Sequence, residues 1–132
     1  MKVAIERATA RGRPLVIELR ATPCEPCEYF DREVLPRAAV VDELRELDHV
    51  RYDLGSAVGE RVARRYEIAS VPTFVVVGYA GIEISRHAGL SAADRATQAS
   101  WFVELLATAT VIARLEAAVA ARPRDVRARL RL

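Results

Sequence analysis

The sequence contains little of several residue types that define other kinds of protein. Lys2 is the only lysine and Trp101 the only tryptophan, and the 132 residues include two cysteines and two histidines. No apolar run approaches the roughly 18 to 20 residues of a membrane helix, and Lys2 and Glu6 bring charge to the N-terminus before a signal-like core develops. As written, the sequence predicts a cytoplasmic chain without a membrane span. If a leader was removed, the alternative is a periplasmic or other extracytoplasmic location.

The composition is that of one compact domain. Hydrophobic residues make up 52% and charged residues 29% of the chain, which excludes disorder of the whole chain. A chain of this length buries roughly two thirds of the surface that its unfolded form exposes, so it needs neither a disulfide lattice nor a structural metal to fold. The two cysteines are therefore available for chemistry. The abundance of Ala and Arg beside a single lysine favours a bacterial source with a G+C-rich genome.

The net charge of +2 is unevenly distributed. Residues 111–132 carry six arginines against two acidic residues, a balance of +4, so residues 1–110 carry −2. These arginines alternate with Ala, Leu and Val at helical spacing, without interleaved aromatic residues or glycines. That pattern is typical of a solvated helix face rather than of a nucleic-acid surface, and no nucleic-acid partner is expected.

Hydrophobic periodicity and turn residues predict an α/β fold. Helical and strand patterns alternate, and a turn at 78–81 joins the last two strands into a hairpin. Parallel strands linked by helices and followed by a hairpin predict a mixed sheet covered on both faces. The predicted segments are helices at 5–11, 24–35, 40–47 and 58–66, strands at 15–19, 49–54, 71–77 and 82–86, and a final helix that is capped by residues 91–94 and has Trp101, Phe102, Leu105 and Leu106 on its apolar face.

Two cysteines lie where the first strand leads into a helix. Cys24 and Cys27 are separated by two residues, and Pro26 falls near the first helical position. Unpaired backbone N–H groups and the helix dipole favour a thiolate at Cys24, while Cys27 is placed to resolve a mixed disulfide. The spacing therefore predicts redox chemistry. Two alternatives stay open: buried structural cysteines, and half of a zinc site, for which His49 and His87 are the only histidines and are singly placed.

Several motifs together resemble the thioredoxin superfamily over about residues 1–108. They are a strand that contains Glu18, the run Cys24-Glu25-Pro26-Cys27, Val71-Pro72-Thr73 at the start of a later apolar strand, and Gly89 after the hairpin. The residues that follow Cys24 are more similar to small bacterial thioredoxin-like reductases and to the thioredoxin-like domains of disulfide-reductase electron-transfer proteins than to thioredoxin itself. The resemblance implies a thioredoxin-like three-layer fold, with a mixed central sheet, a C-terminal β-hairpin and helices on both faces.

The resemblance also implies roles for individual residues. Cys24 matches the family's nucleophile, Cys27 its resolving cysteine, and Pro72 the proline that takes a cis peptide bond beside the disulfide. The Val71 backbone then offers a docking edge for an extended substrate segment. The remaining residues expected to border the substrate are Pro23, Glu25, Pro26 and Gly89.

Glu18 occupies the position of the family's buried acid beneath the second cysteine. There, a carboxylate with a raised pKa takes the proton of the second cysteine. The alternative is a carboxylate paired with an arginine such as Arg20 or Arg51. Arg86 and His87, near the Gly89 loop, either border the substrate groove or are solvated side chains, and solvated side chains are expected.

The sequence departs from thioredoxins around the cysteines. Pro23 stands where thioredoxins usually have Trp, Glu25 where they have Gly, and Glu28 where they have Lys. Two acidic residues in the first helical turn compete with the Cys24 thiolate for the helix dipole and keep its pKa from falling far. Because strongly oxidising members depend on a stabilised thiolate, the sequence predicts a reducing or intermediate couple.

Residues 109–132 are predicted to form a helical C-terminal extension to the 1–108 domain. Arg122-Pro123-Arg124-Asp125 separates two helical patterns, and the region is similar to the join between tetratricopeptide repeats. The extension is either the start of such an array or a plain amphipathic helix.

These observations predict a monomeric thiol–disulfide oxidoreductase that reduces or exchanges protein disulfides, with no bound cofactor and no metal. Its expected partners are a disulfide-containing protein and a reductase or other electron donor. The alternative is a redox-gated protein-binding or chaperone-like module that uses the groove beside Pro72. Two intact cysteines favour turnover, whereas Pro23 in place of Trp favours binding.

Overall fold

Two apolar strands and two more polar strands form a four-stranded sheet that lies between two layers of helices. The computed structural model describes residues 1–89 and 95–121. The elements are α1 (Lys2–Arg11), β1 (Leu15–Arg20), α2 (Glu25–Tyr29), a π-helical segment (Phe30–Val34), α3 (Ala38–Leu44), β2 (Asp48–Asp53), α4 (Ala57–Arg65), β3 (Thr73–Val77), a 3₁₀ turn (Tyr79–Gly81), β4 (Glu83–Ala88) and α5 (Arg95–Ala121). The predicted α/β class and the mixed sheet with its hairpin are confirmed.

The sheet order β2-β1-β3-β4 brings distant parts of the sequence to one end of the sheet. β1 is parallel to β2 and antiparallel to β3, and β3 is antiparallel to β4. In this register Arg20 pairs with Asp53, and Thr73 lies between Leu19 and Ala88. We call the end of the sheet marked by Arg20, Asp53, Thr73 and Ala88 the cysteine end, because the segment that contains both cysteines begins just beyond Arg20.

The two faces of the sheet bury separate apolar cores, because side chains alternate along each strand. Val16 points to one face, and Leu15, Ile17 and Leu19 point to the other. The first core joins the sheet to α3, α5 and the π-helical segment and contains Val16, Phe30, Val34, Val40, Leu47, Phe74, Val76, Ala99, Phe102, Leu106 and Ala109. The second joins it to α1 and α4 and contains Ile5, Ala8, Leu15, Ile17, Leu19, Val62, Tyr66, Val75 and Val77.

The helix that follows the cysteines differs from the single regular helix predicted for 24–35. α2 continues as a π-helical segment, in which the Leu35 amide donates to the Phe30 carbonyl at 2.9 Å. The wider turn places both Phe30 and Val34 in the first core with no exposed surface. Short π-helical segments are frequent at functional sites.

The predicted apolar face of the last helix is partly wrong. Phe102 and Leu106 are buried, but Trp101 is 47% exposed. The buried stripe of α5 recurs every three or four residues, so the residue directly before Phe102 is turned about 100° away from the core. The predicted caps at 91–94 lie outside the described residues.

α5 is continuous across the predicted domain boundary at 108/109, and its last turns reach past the end of the sheet opposite the cysteines. There the Tyr79 amide donates to Glu116 Oε2 at 3.2 Å, and Arg114 pairs with Glu46 at 2.7 Å. A mostly apolar cleft of about 790 Å³ lies beside these turns and is lined by Tyr79, Ile82, Ile112, Leu115, Glu116, Val119 and Ala120. The predicted resemblance to the join between tetratricopeptide repeats begins at Leu115, so residues 115–121 are part of α5. Its remainder lies outside the described residues, and the resemblance stays a prediction.

The contrast between two adjacent aromatic residues tests the position of the core. Phe102→Ala removes a fully buried ring and is expected to lower the free energy of unfolding by about 3–5 kcal/mol. Trp101→Ala is the matched control and is expected to cost less than about 1 kcal/mol. Urea unfolding followed by circular dichroism measures both, and equal losses would contradict the assigned packing of α5.

Candidate active site

The site begins at Cys24, which forms the N-terminal cap of α2. Its backbone is extended (φ −155°, ψ 102°), and its Sγ accepts a hydrogen bond from the Cys27 amide at 3.2 Å. Pro26 lies in the first turn, where its missing N–H removes no helical hydrogen bond. Cys24 and Cys27 form a disulfide with Cα atoms 5.3 Å apart. Cys24 is half-buried and Cys27 only 1% exposed, so an attacking reagent reaches Cys24 first.

The loop before Cys24 is held by the loop that follows β2. The Thr22 hydroxyl donates to Asp53 Oδ2 at 3.1 Å, and the Leu54 amide donates to the Arg20 carbonyl at 2.7 Å. The other carboxylate oxygen of Asp53 accepts from the Gly55 amide at 2.7 Å. Asp53 thus links the loop before Cys24 to the loop after β2 at the cysteine end. The Thr22–Pro23 peptide bond, just before Cys24, is cis.

Val71, Pro72 and Gly89 also lie at the cysteine end. The Val71–Pro72 peptide bond is cis, and the Pro72 carbonyl accepts a hydrogen bond from the Gly89 amide at 2.7 Å. Gly89 has φ +65°, a conformation that favours glycine. Pro72 is buried and Val71 half-buried, whereas Pro23 and Glu25 are exposed and Pro26 is half-buried. The sheet register therefore brings the sequence-predicted substrate residues to the same end as the disulfide.

Glu18 is buried in the middle of β1 but is not an isolated acid. Its side chain is 1% exposed and is paired with Arg51, its direct neighbour on β2, and with His49 Nε2 at 3.6 Å from Oε2. Burial raises the pKa of Glu18, but hydrogen bonds from His49 and Arg51 and their charges outweigh burial and hold the pKa below its usual value.

The predicted raised pKa of Glu18 is therefore wrong. A carboxylate beside a guanidinium stays ionised, because the opposite charge favours the charged form. The structure shows the alternative interpretation, an acid paired with an arginine, and the arginine is Arg51. The role of Glu18 as the acceptor of the Cys27 proton stays a prediction, and the pairing with Arg51 makes Glu18 a weaker base.

The ion pairs extend from Glu18 to the helix that carries the cysteines. Asp31 lies at the start of the π-helical segment, where Oδ2 accepts from Arg20 Nη1 at 2.7 Å and Oδ1 from Arg51 Nη2 at 3.2 Å. Arg20, Asp31, Arg51 and Glu18 thus form one chain of alternating charges across β1, β2 and the segment after α2. We call these four residues the charge chain.

The prediction that His87 is a solvated side chain is also wrong. Its ring lies 5.5 Å from the Phe30 ring and 5.9 Å from the Phe102 ring, centroid to centroid, and its strand neighbour is Phe74. Burial lowers the pKa of His87, although interactions with the Gly89 backbone and the Gln98 side chain oppose the shift. The preceding Arg86 is paired with Glu83 and also donates to the Tyr66 carbonyl.

The sequence assigned no role to Asp31 or Asp53 and did not predict that His87 is half-buried against aromatic rings. The register could not be read from the predicted strands, because aligning the starts of 15–19 and 49–54 places Tyr52 opposite Glu18, one residue away from the Arg51 that pairs with it in the structure. The Asp31 contact has a weak signal, its position four residues after Cys27 on the predicted helix. Nothing in the local pattern around His87 distinguishes a buried histidine from an exposed one.

Residues 1–89 and 95–121 contain no group of three or more His, Cys, Asp or Glu side chains that could hold a metal ion. None of the helices in this part of the chain is long and apolar enough to cross a membrane.

The charge state of Glu18 predicts how stability depends on acid. Because its folded-state pKa lies below the unfolded value, Glu18 stabilises the fold above the unfolded pKa, and this contribution is lost as the pH falls through the folded pKa. Glu18→Gln is expected to lower the free energy of unfolding at pH 7 by about 1–3 kcal/mol and to flatten its decline below about pH 5. Urea titrations from pH 7 to pH 3 measure both effects, and an unchanged acid profile would contradict the ionised state.

His87 predicts a second pH dependence, at higher pH. The unfolded chain binds a proton at His87 with a pKa of about 6.5, and burial lowers the folded pKa. Around and below pH 6.5 the unfolded state therefore binds more protons than the folded state. The free energy of unfolding consequently decreases as the pH is lowered. In His87→Phe this fall is expected to be smaller between pH 7 and pH 5. Parallel profiles for the variant and the parent protein would show that His87 titrates normally in the fold.

The comparisons with known proteins agree with this geometry. A family model described as a thioredoxin-like domain matches residues 1–103. The solution structure of a thioredoxin from Thermus thermophilus is similar with a TM-score of 0.63 and 25% identity, over 77% of this chain and 80% of that one. DsbH oxidoreductase has a TM-score of 0.63 and 15% identity, over 78% of each chain. Thioredoxin O2 from Arabidopsis thaliana in its oxidized state has a TM-score of 0.58 and 17% identity, over 79% and 84%.

A search of curated proteins gave no match. The family model nevertheless covers more than half of the chain, and the Cys24–Cys27 disulfide lies at the start of α2. Together they support thiol–disulfide oxidoreductase chemistry, and the chain belongs to the thioredoxin-like domain family.

Proposed function

We propose that this protein reduces disulfides in other proteins through the Cys24–Cys27 pair. The observation that carries the proposal is the asymmetry of the pair: Cys24 is half-buried at the N-terminus of α2, whereas Cys27 is 1% exposed one turn further on. The Cys27 amide already donates to Cys24 Sγ, and the same N–H together with the helix dipole favours a thiolate there. An accessible nucleophile beside a shielded second thiol is the arrangement that disulfide exchange requires.

The reaction proceeds in two exchange steps. The Cys24 thiolate attacks one sulfur of a substrate disulfide, a new S–S bond forms, and the other substrate sulfur leaves as a thiolate. The Cys27 thiol loses its proton and attacks Cys24 Sγ, which breaks the mixed disulfide and releases the second substrate sulfur. Two electrons and two protons pass from the dithiol to the substrate, and Cys24 and Cys27 end as a disulfide. A second dithiol protein or small thiol, the electron donor, regenerates the pair by the reverse exchange.

The substrate surface in this proposal is the cysteine end. Val71, Pro72 and Gly89 lie at the same end of the sheet as the segment that contains Pro23, Cys24 and Glu25. Val71 is two residues before Thr73, the first residue of β3. An extended substrate segment that contains a disulfide binds there by main-chain hydrogen bonds to Val71, in the manner of β-augmentation. The acidic side chains of Glu25 and Glu28 are exposed around it.

The acidic first turn sets the direction of the reaction. Glu25 and Glu28 are the acidic residues in the first turn of α2, and their charges oppose the stabilisation of an anion at the same helix end. A less stabilised Cys24 thiolate makes the reduced protein a better electron donor. The proposal therefore assigns reduction rather than disulfide donation.

Cysteine variants separate turnover from the alternative, a redox-gated binding module. Cys24→Ser removes the nucleophile and is expected to lower the rate of insulin disulfide reduction, with dithiothreitol as donor, by more than about 10²-fold. Cys27→Ser keeps the nucleophile and is expected to accumulate a mixed disulfide with insulin, visible by mass spectrometry.

The matched comparison is the position of the mixed disulfide. It forms at Cys24 in Cys27→Ser and is absent from Cys24→Ser, because Cys27 is buried. Equal trapping by the two variants would contradict the assigned order. Undiminished peptide binding by Cys24→Ser together with no turnover by the unmodified protein would instead support a binding module.

A further inference from the structure

The charge chain places two arginines and two carboxylates next to the redox helix. Arg20 is four residues before Cys24, and Asp31 is four residues after Cys27. In sequence, the two cysteines therefore lie between the two partners of the Arg20–Asp31 ion pair. Asp31 follows Cys27 by four residues along the helical stretch, where residues at this separation have Cβ atoms about 5–6 Å apart, which is shorter than the screening length of about 10 Å at 0.1 M salt. The Arg20 guanidinium lies 2.7 Å from the Asp31 carboxylate, so both charges of this ion pair lie near the redox helix.

The four charges of the chain neutralise each other. Glu18 is paired with Arg51, and Asp31 with both Arg20 and Arg51. Arg20 has a 16% exposed side chain and Asp31 a 32% exposed one, so this pair is less screened by water than the exposed pair Asp42–Arg45 on α3, whose side chains are 69% and 74% exposed. Without Asp31, Arg20 would lose its ion pair and keep only the weaker influence of Glu18 and Asp53, and Arg51 would keep Glu18 alone as its paired carboxylate.

We propose that Asp31 sets the reduction potential of the Cys24–Cys27 couple by neutralising Arg20 and Arg51, and thereby keeps the couple reducing. An uncompensated guanidinium attracts a thiolate, stabilises the reduced form and makes the couple more oxidising. Asp31 acts through the two arginines and touches no reacting atom, so it is a positioning residue and not a catalytic one. This inference rests on the proposed function, because it needs a reversible Cys24–Cys27 couple.

The test is the equilibrium of the oxidised protein with two molecules of glutathione, which gives the dithiol protein and one glutathione disulfide. The protein is equilibrated at pH 7 in graded glutathione buffers, alkylated and analysed by mass. Asp31→Asn keeps the size of the side chain and removes its charge. It is expected to shift this equilibrium three- to tenfold towards the dithiol, and tenfold corresponds to about 30 mV for a two-electron couple.

A variant of opposite sign separates electrostatics from loosening of the helix. Arg20→Gln leaves Asp31 with excess negative charge and is expected to shift the equilibrium threefold or more towards the disulfide. A purely structural role of the ion pair would move both variants in the same direction. Asp42→Asn makes the same charge change on α3 and is expected to leave the equilibrium unchanged within twofold.

Each outcome decides a separate claim. Opposite shifts in Asp31→Asn and Arg20→Gln, with Asp42→Asn unmoved, support the inference. If Asp31→Asn does not fold, the sign of the Arg20→Gln shift decides alone, and a shift towards the dithiol or none refutes the inference. Unmoved potentials in folded variants refute it while the proposed function stands. An unmodified protein that forms no Cys24–Cys27 disulfide at any glutathione ratio refutes the proposed function itself.

Discussion

The pairing of β1 with two neighbours of opposite direction is the constraint on which the site depends. Because β1 runs parallel to β2 and antiparallel to β3, the end of β1, the end of β2 and the start of β3 meet at one end of the sheet. β4 returns to the same end, where the Gly89 amide bonds the Pro72 carbonyl. A slip of one residue in β1 would turn Glu18 towards α1 and α4 and move Cys24 away from Pro72. The buried alternation of Leu15, Ile17 and Leu19 fixes this register.

At this end of the sheet the chain balances two opposed electrostatic effects. The start of α2 and its backbone N–H groups favour a thiolate at Cys24, as the Cys27 amide shows by donating to Cys24 Sγ. Glu25 and Glu28 in the same turn, and Asp31 one turn later, oppose that effect. Glu18 is held ionised beside Arg51 and adds a negative charge to this balance. In the proposed function, this balance makes the dithiol a ready electron donor.

Much of the fold follows from the sequence because its signals are local. The apolar run of 15–19, the turn at 78–81 and the C-x-x-C spacing each specify a segment, and the segments that they predict are the ones that form. The pKa of Glu18 was beyond such signals, since it depends on Arg51, a residue 33 positions away that meets it only through strand register. The same holds for His87, whose burial depends on Phe30 and Phe102 from other elements. The exposure of Trp101 was mispredicted for a simpler reason. A period of 3.6 residues does not specify which residues lie at the border of the buried face of a helix, so an assignment there can be wrong by one position.

The central claim is that Cys24 and Cys27 form a reversible and reducing couple, and its reduction potential tests that claim most directly. Equilibration in graded thiol buffers, followed by alkylation and mass measurement, gives this potential. The account predicts a value between about −270 and −200 mV, the range of thioredoxins and glutaredoxins. A value near about −120 mV would describe an oxidant and contradict the charge balance around α2. The absence of an intramolecular disulfide at every ratio would contradict the redox assignment as a whole.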